Sequence, residues 1–175
     1  TFDTDKLLNL EIGIKGGIPA AQFDYAVALF NTDWKNIQAR GVDPVTGTSF
    51  QGNGGRAHTR GVELEGRWRA STAWTLGGNA AFTDAKLDED INITGINAKK
   101  GNTIPFVPKV AFGLTADYRA EVMPGVSGVF GTTLRHVGER RAYFDDTQVG
   151  TGVQSLVGKM PAYDLVDLRA AFSKD

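Results

Sequence analysis

The sequence has 175 residues, and its 19 Lys and Arg residues against 20 Asp and Glu residues give a net charge of −1. This length suits one domain or part of a larger one, and the charge balance argues against a protein that binds nucleic acid or another polyanion through its overall field. The sequence has no Cys and only two His residues, which excludes disulfide frameworks, thiol nucleophiles and zinc sites built from thiolates or several histidines.

Apolar and polar residues alternate with a period of two in seven stretches of the chain, which predicts strands and no helix. The first stretch places Leu8, Leu10 and Ile12 on one face and Asn9 and Glu11 on the other. The 22 Gly residues, beside only 6 Pro and 41% hydrophobic residues, are typical of ordered strands joined by tight turns. In chain order the predicted strands cover 8–14, 23–29, 62–69, 74–82, 110–119, 126–137 and 166–172.

The connections between these strands alternate strictly between short and long. The short ones are 16–21, 70–73 and 120–125, and the long ones are 41–57, 88–108 and 138–162. In an antiparallel meander this places every tight turn at one end of the sheet and every long loop at the other. Outer-membrane barrels have this arrangement, whereas a soluble sandwich has no reason to sort its loops. The sequence therefore predicts an all-β, antiparallel up-and-down meander of about seven strands, a segment of a transmembrane β-barrel.

Large aromatic residues gather near the short turns, as they do in the interfacial girdles of membrane barrels. They are Phe23, Tyr25, Trp68, Trp74 and Tyr118. Aromatic residues filling one end of a soluble core are the alternative. The period of two also predicts an apolar face that carries Val62, Leu64, Trp68, Phe112, Leu114 and Tyr118, and a polar face that carries Glu63, Glu65, Arg67, Asp117 and Arg119.

Six short segments add a resemblance to a known family. They are EIGIKG from Glu11, ALFNTDWKNIQ from Ala28, GVELEG from Gly61 with Asn53 before it, NAAFTDA from Asn79, IPFVPK from Ile104 with Gly101 before it, and PAYDLVDL from Pro161. Each segment alone is weak, but as an ordered set they resemble the late barrel of TonB-dependent outer-membrane receptors, the energised importers of iron chelates, cobalamin and some glycans. Nearly the whole chain is covered.

The resemblance implies a bacterial outer-membrane location, contact with outer-membrane lipid and a small-molecule ligand such as an iron chelate. It also implies energy coupling through TonB by way of a plug, which this sequence lacks together with the family's last two strands and aromatic C-terminus. Residues 1–175 are therefore expected to be a partial barrel domain, about a third of a 22-stranded barrel. No cofactor is expected, and the open edges of such a fragment could associate with another copy.

One group of residues could contact a ligand at the start of the last long loop. Guanidinium groups match carboxylates and aromatic faces stack on rings, so this group could hold an anionic chelate or a sugar. A loop packed on its neighbours or on lipopolysaccharide phosphates is the alternative. The candidates are Arg135, His136, Arg140, Arg141 and Tyr143.

Oxygen-bearing side chains alternate at Asp88, Asp90 and Asn92, which makes a weak candidate for a calcium-binding loop. An EF-hand requires Gly and Glu where this sequence has Ile93 and Lys99, and a solvated acidic loop is the alternative. No catalytic site is predicted. The acidic pair Glu63 and Glu65 is interpreted as part of a hydrated lumen stripe, and no nucleophile motif occurs.

Two other functions remain open at this point. One is a soluble all-β ligand-binding or interaction domain whose apolar face is a sandwich core. The other is a passive porin-type barrel. Detergent dependence separates the receptor from the soluble domain, and a plug encoded upstream separates it from the porin.

Overall fold

A computed structural model describes residues 3–43, 45–93, 96–142, 144 and 158–174 of the chain. Seven long antiparallel strands form one sheet, in which every strand pairs with its neighbours in sequence. They are β1 (Lys6–Ile18), β2 (Phe23–Lys35), β5 (Arg56–Arg69), β6 (Trp74–Leu87), β9 (Val110–Met123), β10 (Val126–Val137) and β13 (Tyr163–Lys174). The predicted all-β meander of seven strands is confirmed.

Three short hairpins, which the period of two did not predict, lie in the long connections between these strands. They are formed by β3 (Gln38–Val42) with β4 (Ser49–Asn53), β7 (Ile91–Ile93) with β8 (Ile96–Ala98), and β11 (Arg140–Arg141) with β12 (Lys159–Met160). The tight connections are a short 3-10 turn at Pro19–Ala21, residues 70–73 and residues 124–125. The predicted alternation is therefore confirmed, and the sheet has a turn end and a loop end.

No helix in the described part of the chain is long and apolar enough to cross a membrane.

The register of the sheet is staggered in one direction. The row of directly paired residues that starts at Ile18, where β1 ends, reaches β13 at Leu168. From there β13 continues by six residues to Lys174. Six residues of about 3.4 Å over six strand spacings of about 4.8 Å correspond to a strand tilt of about 35°. Closed transmembrane barrels require a tilt of this size.

The two faces of the sheet are those that the sequence predicts. Leu64 pairs with Ala80 and Ala80 with Phe112, whereas Glu65 pairs with Asn79 on the opposite face. No register shift occurs along the paired parts of β5, β6 and β9, so the two sets do not mix. The predicted apolar face and polar face are therefore confirmed.

The apolar face has no protein layer over it in the described chain. Ile12 is 73% exposed and Leu168 is 82% exposed, and the long strands carry a row of such side chains. The buried apolar residues lie instead at the loop end, where Leu87 and Ile91 are the largest fully buried side chains. A soluble sandwich would bury this face against a second sheet, so the exposed apolar band is the main difference from that alternative.

Aromatic rings line the apolar face at the turn end. Trp74 and Tyr118 pair directly and their ring centroids are 4.8 Å apart. Phe130 and Phe172, which the sequence analysis did not include, meet edge to face at 5.8 Å. The Tyr25 hydroxyl also covers Gly16, 2.9 Å from where a Cβ would lie. The rings thus form an aromatic band at the turn end.

Charged pairs replace apolar side chains on the same face toward the loop end. Asp84 lies 2.9 Å from Lys86 Nζ and 3.5 Å from an Arg60 guanidinium nitrogen. His136 Nδ1 lies 2.8 Å from Asp164 Oδ1, and the imidazole stacks on Phe112 with ring centroids 4.9 Å apart. The apolar band therefore has a charged border at one end and an aromatic border at the other.

Candidate functional site

Two parts of the molecule carry chemistry that could serve a ligand or a partner. The first is the loop end, where the short hairpins pack on the sheet. The second is the polar face near the turn end, where charged side chains surround a concavity. The sequence pattern predicts candidate residues at the loop end but not the arrangement at the turn end.

The loop end is built on a small apolar cluster. Its buried members are Ile37, Ala57, Leu87, Ile91 and Ala98, with Trp34, Ile93, Ile104 and Phe144 packed against them. The sequence pattern predicts no such cluster, and isoleucines within otherwise polar connections are the feature of the sequence that could have indicated it. Burial of these side chains holds the hairpins in place on the strands.

Backbone hydrogen bonds close the base of the first hairpin and join the second long connection to β6. Gly54 donates to the carbonyl of Ile37 at 2.9 Å, and Ile104 donates to the carbonyl of Ala85 at 3.0 Å. A Cβ at Gly54 would lie 2.9 Å from a methyl carbon of Ile91, so the approach of the two hairpins requires glycine there. The first two long connections therefore form an ordered platform.

The structure divides the ligand-contact candidates between the two faces of the sheet. Arg135 lies on the polar face, whereas the next residue, His136, lies on the apolar face against Phe112. Arg140 places its guanidinium carbon 5.3 Å from the ring centroid of Tyr163. The carbonyl of Arg141 accepts a hydrogen bond from Phe106 at 2.7 Å.

Arg140 and Arg141 thus stay near each other in β11, and His136 is separated from them. The fifth candidate, Tyr143, lies outside the described residues. The geometry therefore leaves Arg135, Arg140 and Arg141 as candidates at the loop end and places His136 in the charged border of the apolar face.

The carboxylates of the candidate calcium loop have protein partners. Asp88 Oδ1 lies 2.8 Å from His58 Nδ1. Asp90 accepts hydrogen bonds from the backbone N–H of Lys100 at 2.8 Å and from Lys99 Nζ at 3.0 Å. These donors lower the pKa of Asp90 below its ordinary value, with the Lys100 amide as the largest cause.

Asn92, the third residue of that candidate, pairs with Asn97 in the hairpin of β7 and β8. Among the described residues, no three acidic, His or Cys side chains are arranged to hold a metal ion. The contacts therefore give a structural role to Asp88 and Asp90 and no support to the calcium-loop interpretation.

A concavity of about 1210 Å³ opens on the polar face at the turn end. Four arginines and two aspartates line it together with small and polar residues of the short turns. The charged residues are Arg67, Arg69, Arg119, Arg169, Asp24 and Asp117. Arg169 forms an ion pair with Asp117.

The polar face also carries four carboxylates outside this concavity. Glu63 pairs directly with Ala28 and Ala81, so it lies among small side chains. Glu11, Glu65 and Asp167 share this face, and none of these four carboxylates has an ion pair within the described residues. The polar face therefore carries charges of both signs, and Asp167 lies in the same paired row as Arg67.

A family model described as "TonB dependent receptor-like, beta-barrel" matches residues 5–175 of the chain. The ferrichrome outer membrane transporter/phage receptor of Escherichia coli strain K12 is 30% identical over 174 residues, which is 98% of this chain. The pesticin receptor of Yersinia enterocolitica is 31% identical over 114 residues, or 64% of this chain. The chain spans only 22% and 15% of these relatives.

Solved structures of two ferric-chelate receptors share the fold of this chain. The ferric yersiniabactin uptake receptor of Yersinia pestis superposes with a TM-score of 0.68 at 24% identity, covering 95% of this chain and 22% of that receptor. The ferric preacinetobactin receptor of Acinetobacter baumannii superposes with a TM-score of 0.67 at 17% identity, covering 97% of this chain and 23% of that receptor. The seven-stranded meander thus corresponds to about a quarter or less of a complete receptor.

Proposed function

This chain belongs to the TonB-dependent receptor-like β-barrel family, and from that premise we propose that it forms part of the barrel wall of an outer-membrane receptor. The receptor takes up a scarce small molecule such as a ferric chelate, with energy supplied through TonB. In this arrangement the apolar face meets the membrane lipid and the polar face lines the lumen. The turn end faces the periplasm and the loop end faces the outside.

The uncovered apolar band is the observation that carries this proposal. It lies between an aromatic border at the turn end and a border of charged pairs such as Asp84 with Lys86 at the loop end. An interfacial girdle and a tilt of about 35° are both expected of strands that cross a bilayer. A soluble binding domain would leave this band in water, where an apolar surface of this extent favours association.

The ligand class is proposed from the relatives. Their names refer to ferrichrome and to ferric yersiniabactin, which are iron chelates in both cases. The cationic candidates Arg135, Arg140 and Arg141 lie at or near the loop end, where guanidinium groups could hold the anionic groups of such a ligand. The ordered hairpins around Ile37 and Ile91 would set the shape of part of the entrance.

The proposal assigns no chemical step to these residues. Transport by such a receptor requires binding, release and an external energy supply, and the family consists of transport receptors. The energy would reach the lumen through TonB and a plug that lies outside the segment described. A passive porin-type barrel remains the second candidate, and it differs by its independence from TonB.

Uptake by the complete receptor in cells tests the proposal. The receptor is expressed in an outer membrane that lacks other iron-chelate receptors, and accumulation of radiolabelled ferric chelates is measured with TonB present and absent. We expect accumulation of at least one chelate only when TonB is present. Equal accumulation without TonB would identify a porin, and recovery of the receptor in the soluble fraction would identify a soluble binding protein.

A further inference from the structure

We propose that Arg135, Arg140 and Tyr163 form an anion-binding subsite in the outer mouth of the lumen, so that the receptor selects a ferric chelate with a net negative charge over a neutral one. This inference deepens the proposed function and rests on it, because it takes the polar face to line the lumen and the loop end to face the outside. The three residues are called the anion subsite below.

The register places the anion subsite on the polar face at the loop end. Arg135 of β10 pairs with Leu165 of β13, and Tyr163 lies two residues from Leu165 on the same face, a separation of about 7 Å along the strand. Arg140 follows the end of β10, and its guanidinium carbon lies 5.3 Å from the centroid of the Tyr163 ring. Two cations therefore lie near one aromatic ring, on the face opposite the apolar band, where membrane lipid does not reach them.

The charge of Arg140 is incompletely satisfied in this position. Arg140 pairs with Met160 in the hairpin of β11 and β12, which fixes its backbone beside the ring of Tyr163. Its Nη1 is buried and has no hydrogen-bond acceptor in the part of the chain that the structure describes. A buried N–H group without an acceptor is unfavourable, and more so when the group is charged. Because the residue as a whole is only half-buried, an anion in the mouth can reach it and supply the missing negative charge.

The carboxylates closest along the chain do not neutralise the anion subsite. Glu139 lies 3.9 Å from Lys159 Nζ and is paired there. Asp164 is the neighbour of Tyr163 in β13, so it lies on the opposite face. Among the described residues, neither Arg135 nor Arg140 has an ion pair. The anion subsite therefore carries two cations without a counter-ion from the described chain.

The chemistry of a guanidinium group makes the anion subsite selective for charge. Its planar fork of N–H donors matches a carboxylate, and the adjacent oxygens of a catecholate offer a similar pair of acceptors. Hydroxamates just balance the charge of the ferric ion, whereas catecholates and citrate leave the complex anionic. An anionic complex relieves the repulsion between Arg135 and Arg140, and a neutral complex does not.

Binding of defined ferric complexes to the purified complete receptor tests this inference. The probes are ferric citrate and a ferric tricatecholate, which are anionic, and ferrichrome, which is a neutral trihydroxamate. We expect binding of at least one anionic complex, with a Kd raised about tenfold or more by R140Q and by R135Q, as for the loss of a hydrogen bond to a charged group. The variant R140K keeps the charge but not the planar fork, so its Kd should rise less than that of R140Q.

The matched control is R56Q, which also removes a guanidinium group at the loop end. Arg56 lies 3.9 Å from Glu89, so its charge is already paired within the chain. The Kd of the anionic complex should therefore be unchanged in R56Q. Equal weakening in R56Q and R140Q would mean that only the overall charge of the loop end matters, and it would overturn the inference.

A second measurement separates a binding role of Arg140 from a structural one. The variant R140M replaces the guanidinium group with an apolar side chain that also packs on aromatic rings, and it removes the buried unpaired nitrogen. Unfolding of the ligand-free receptor should require as much urea for R140M as for the parent protein, or more, while binding of the anionic complex weakens as in R140Q. A ligand-free R140M that unfolds at clearly lower urea would show that Arg140 has a structural partner, against the inference.

Two further binding results also overturn it. Binding of ferrichrome alone would show that the receptor selects neutral complexes. Equal weakening of anionic and neutral complexes by R140Q would show that Arg140 does not distinguish their charge. Failure of the proposed function appears differently, as a receptor that binds no ferric complex, is absent from the outer membrane or works without TonB, and the inference then fails with it.

Discussion

Arg169 of β13 forms an ion pair with Asp117 of β9 by reaching across β10, the strand between them. Gly131 is the β10 residue that pairs with both of them. A Cβ at Gly131 would lie 2.5 Å from Asp117 Oδ1 and from Arg169 Nε. The missing side chain at Gly131 is therefore what allows two strands that are not neighbours to be joined on the polar face.

The substitution G131A should separate this pair. Because both partners are substantially exposed, at 54% for Arg169 and 32% for Asp117, the free energy of unfolding should fall by only about 0.2–1 kcal/mol. Unfolding of the receptor from lipid vesicles by urea measures the change. In the D117N background G131A should have a smaller effect, since the interaction is already weakened, and additive effects would show that the pair contributes nothing.

A charged side chain on the apolar face should destabilise the receptor when it lies near the middle of a strand. Leu64 is 39% exposed and lies midway along β5, between Trp68 in the aromatic band and Arg60 in the charged border. L64R should lower the free energy of unfolding from lipid vesicles by about 2–4 kcal/mol, the range for Arg near the bilayer midplane. E63R changes the neighbouring residue on the polar face and should cost much less. Similar losses for both variants would argue against a lipid-facing role for Leu64.

The three Trp residues of the chain should report different environments. Trp68 and Trp74 lie in the aromatic band, whereas Trp34 donates a hydrogen bond to Asp5 at 3.0 Å and packs on the loop-end cluster. Brominated lipids quench only indoles that reach the bilayer. In variants that retain one of these Trp residues at a time, with other receptor Trp residues replaced, fluorescence should be quenched strongly for Trp68 and Trp74 and weakly for Trp34. Strong quenching of Trp34 would contradict the assigned faces.

The sequence predicted the long strands well because the environment on each side of the sheet determines which side chains the strand carries on that side. A strand between lipid and a polar lumen must alternate, as Leu64 and Glu65 do, and a period of two reveals its register. The strand predicted at 126–137 matches β10, whereas the other six strands extend beyond their predicted bounds. Asp84 and Lys86 interrupt the apolar pattern on their face, yet β6 continues to Leu87 because its backbone is still paired with β5.

The site was predicted less well, since it depends on pairing between distant strands. Arg169 and Asp117 are 52 positions apart, and no local pattern links them. His136 and Arg135 are adjacent in sequence, and in a strand this places their side chains on opposite faces, so a group predicted from adjacency is divided. Ile37 and Ile91 were the only weak sequence indication of the loop-end cluster. A sequence pattern alone does not show whether an apolar residue in a connection is buried in such a cluster or lies in an exposed loop.

Acidification should loosen the second long connection. The pKa of Asp90 is held below its ordinary value by the Lys100 amide and the Lys99 ammonium, so the bonds of its carboxylate contribute stability above the ordinary pKa of the group and are lost as the pH falls through the lowered value. Amide exchange of Lys100 should therefore accelerate in acid beyond the change intrinsic to the chemistry. In D90N the protection of Lys100 should not depend on Asp90 titration, and a pH profile identical to that of the parent protein would contradict the assignment.

The open edges of the sheet should be paired in the complete receptor. β1 and β13 each have one neighbour in the described sheet, so the backbone groups on their outer sides have no strand partner there. Bacterial barrels remove such edges by closure, and an unpaired strand in the bilayer would leave polar groups without hydrogen bonds. Amide exchange in the full-length receptor should therefore protect Leu10 to Ile14 and Val166 to Ala170 as strongly as Val62 to Glu65 in the centre of the sheet. Rapid exchange at every second residue of β1 or β13 would show instead that the strand is a true edge and that the barrel wall does not continue beyond it.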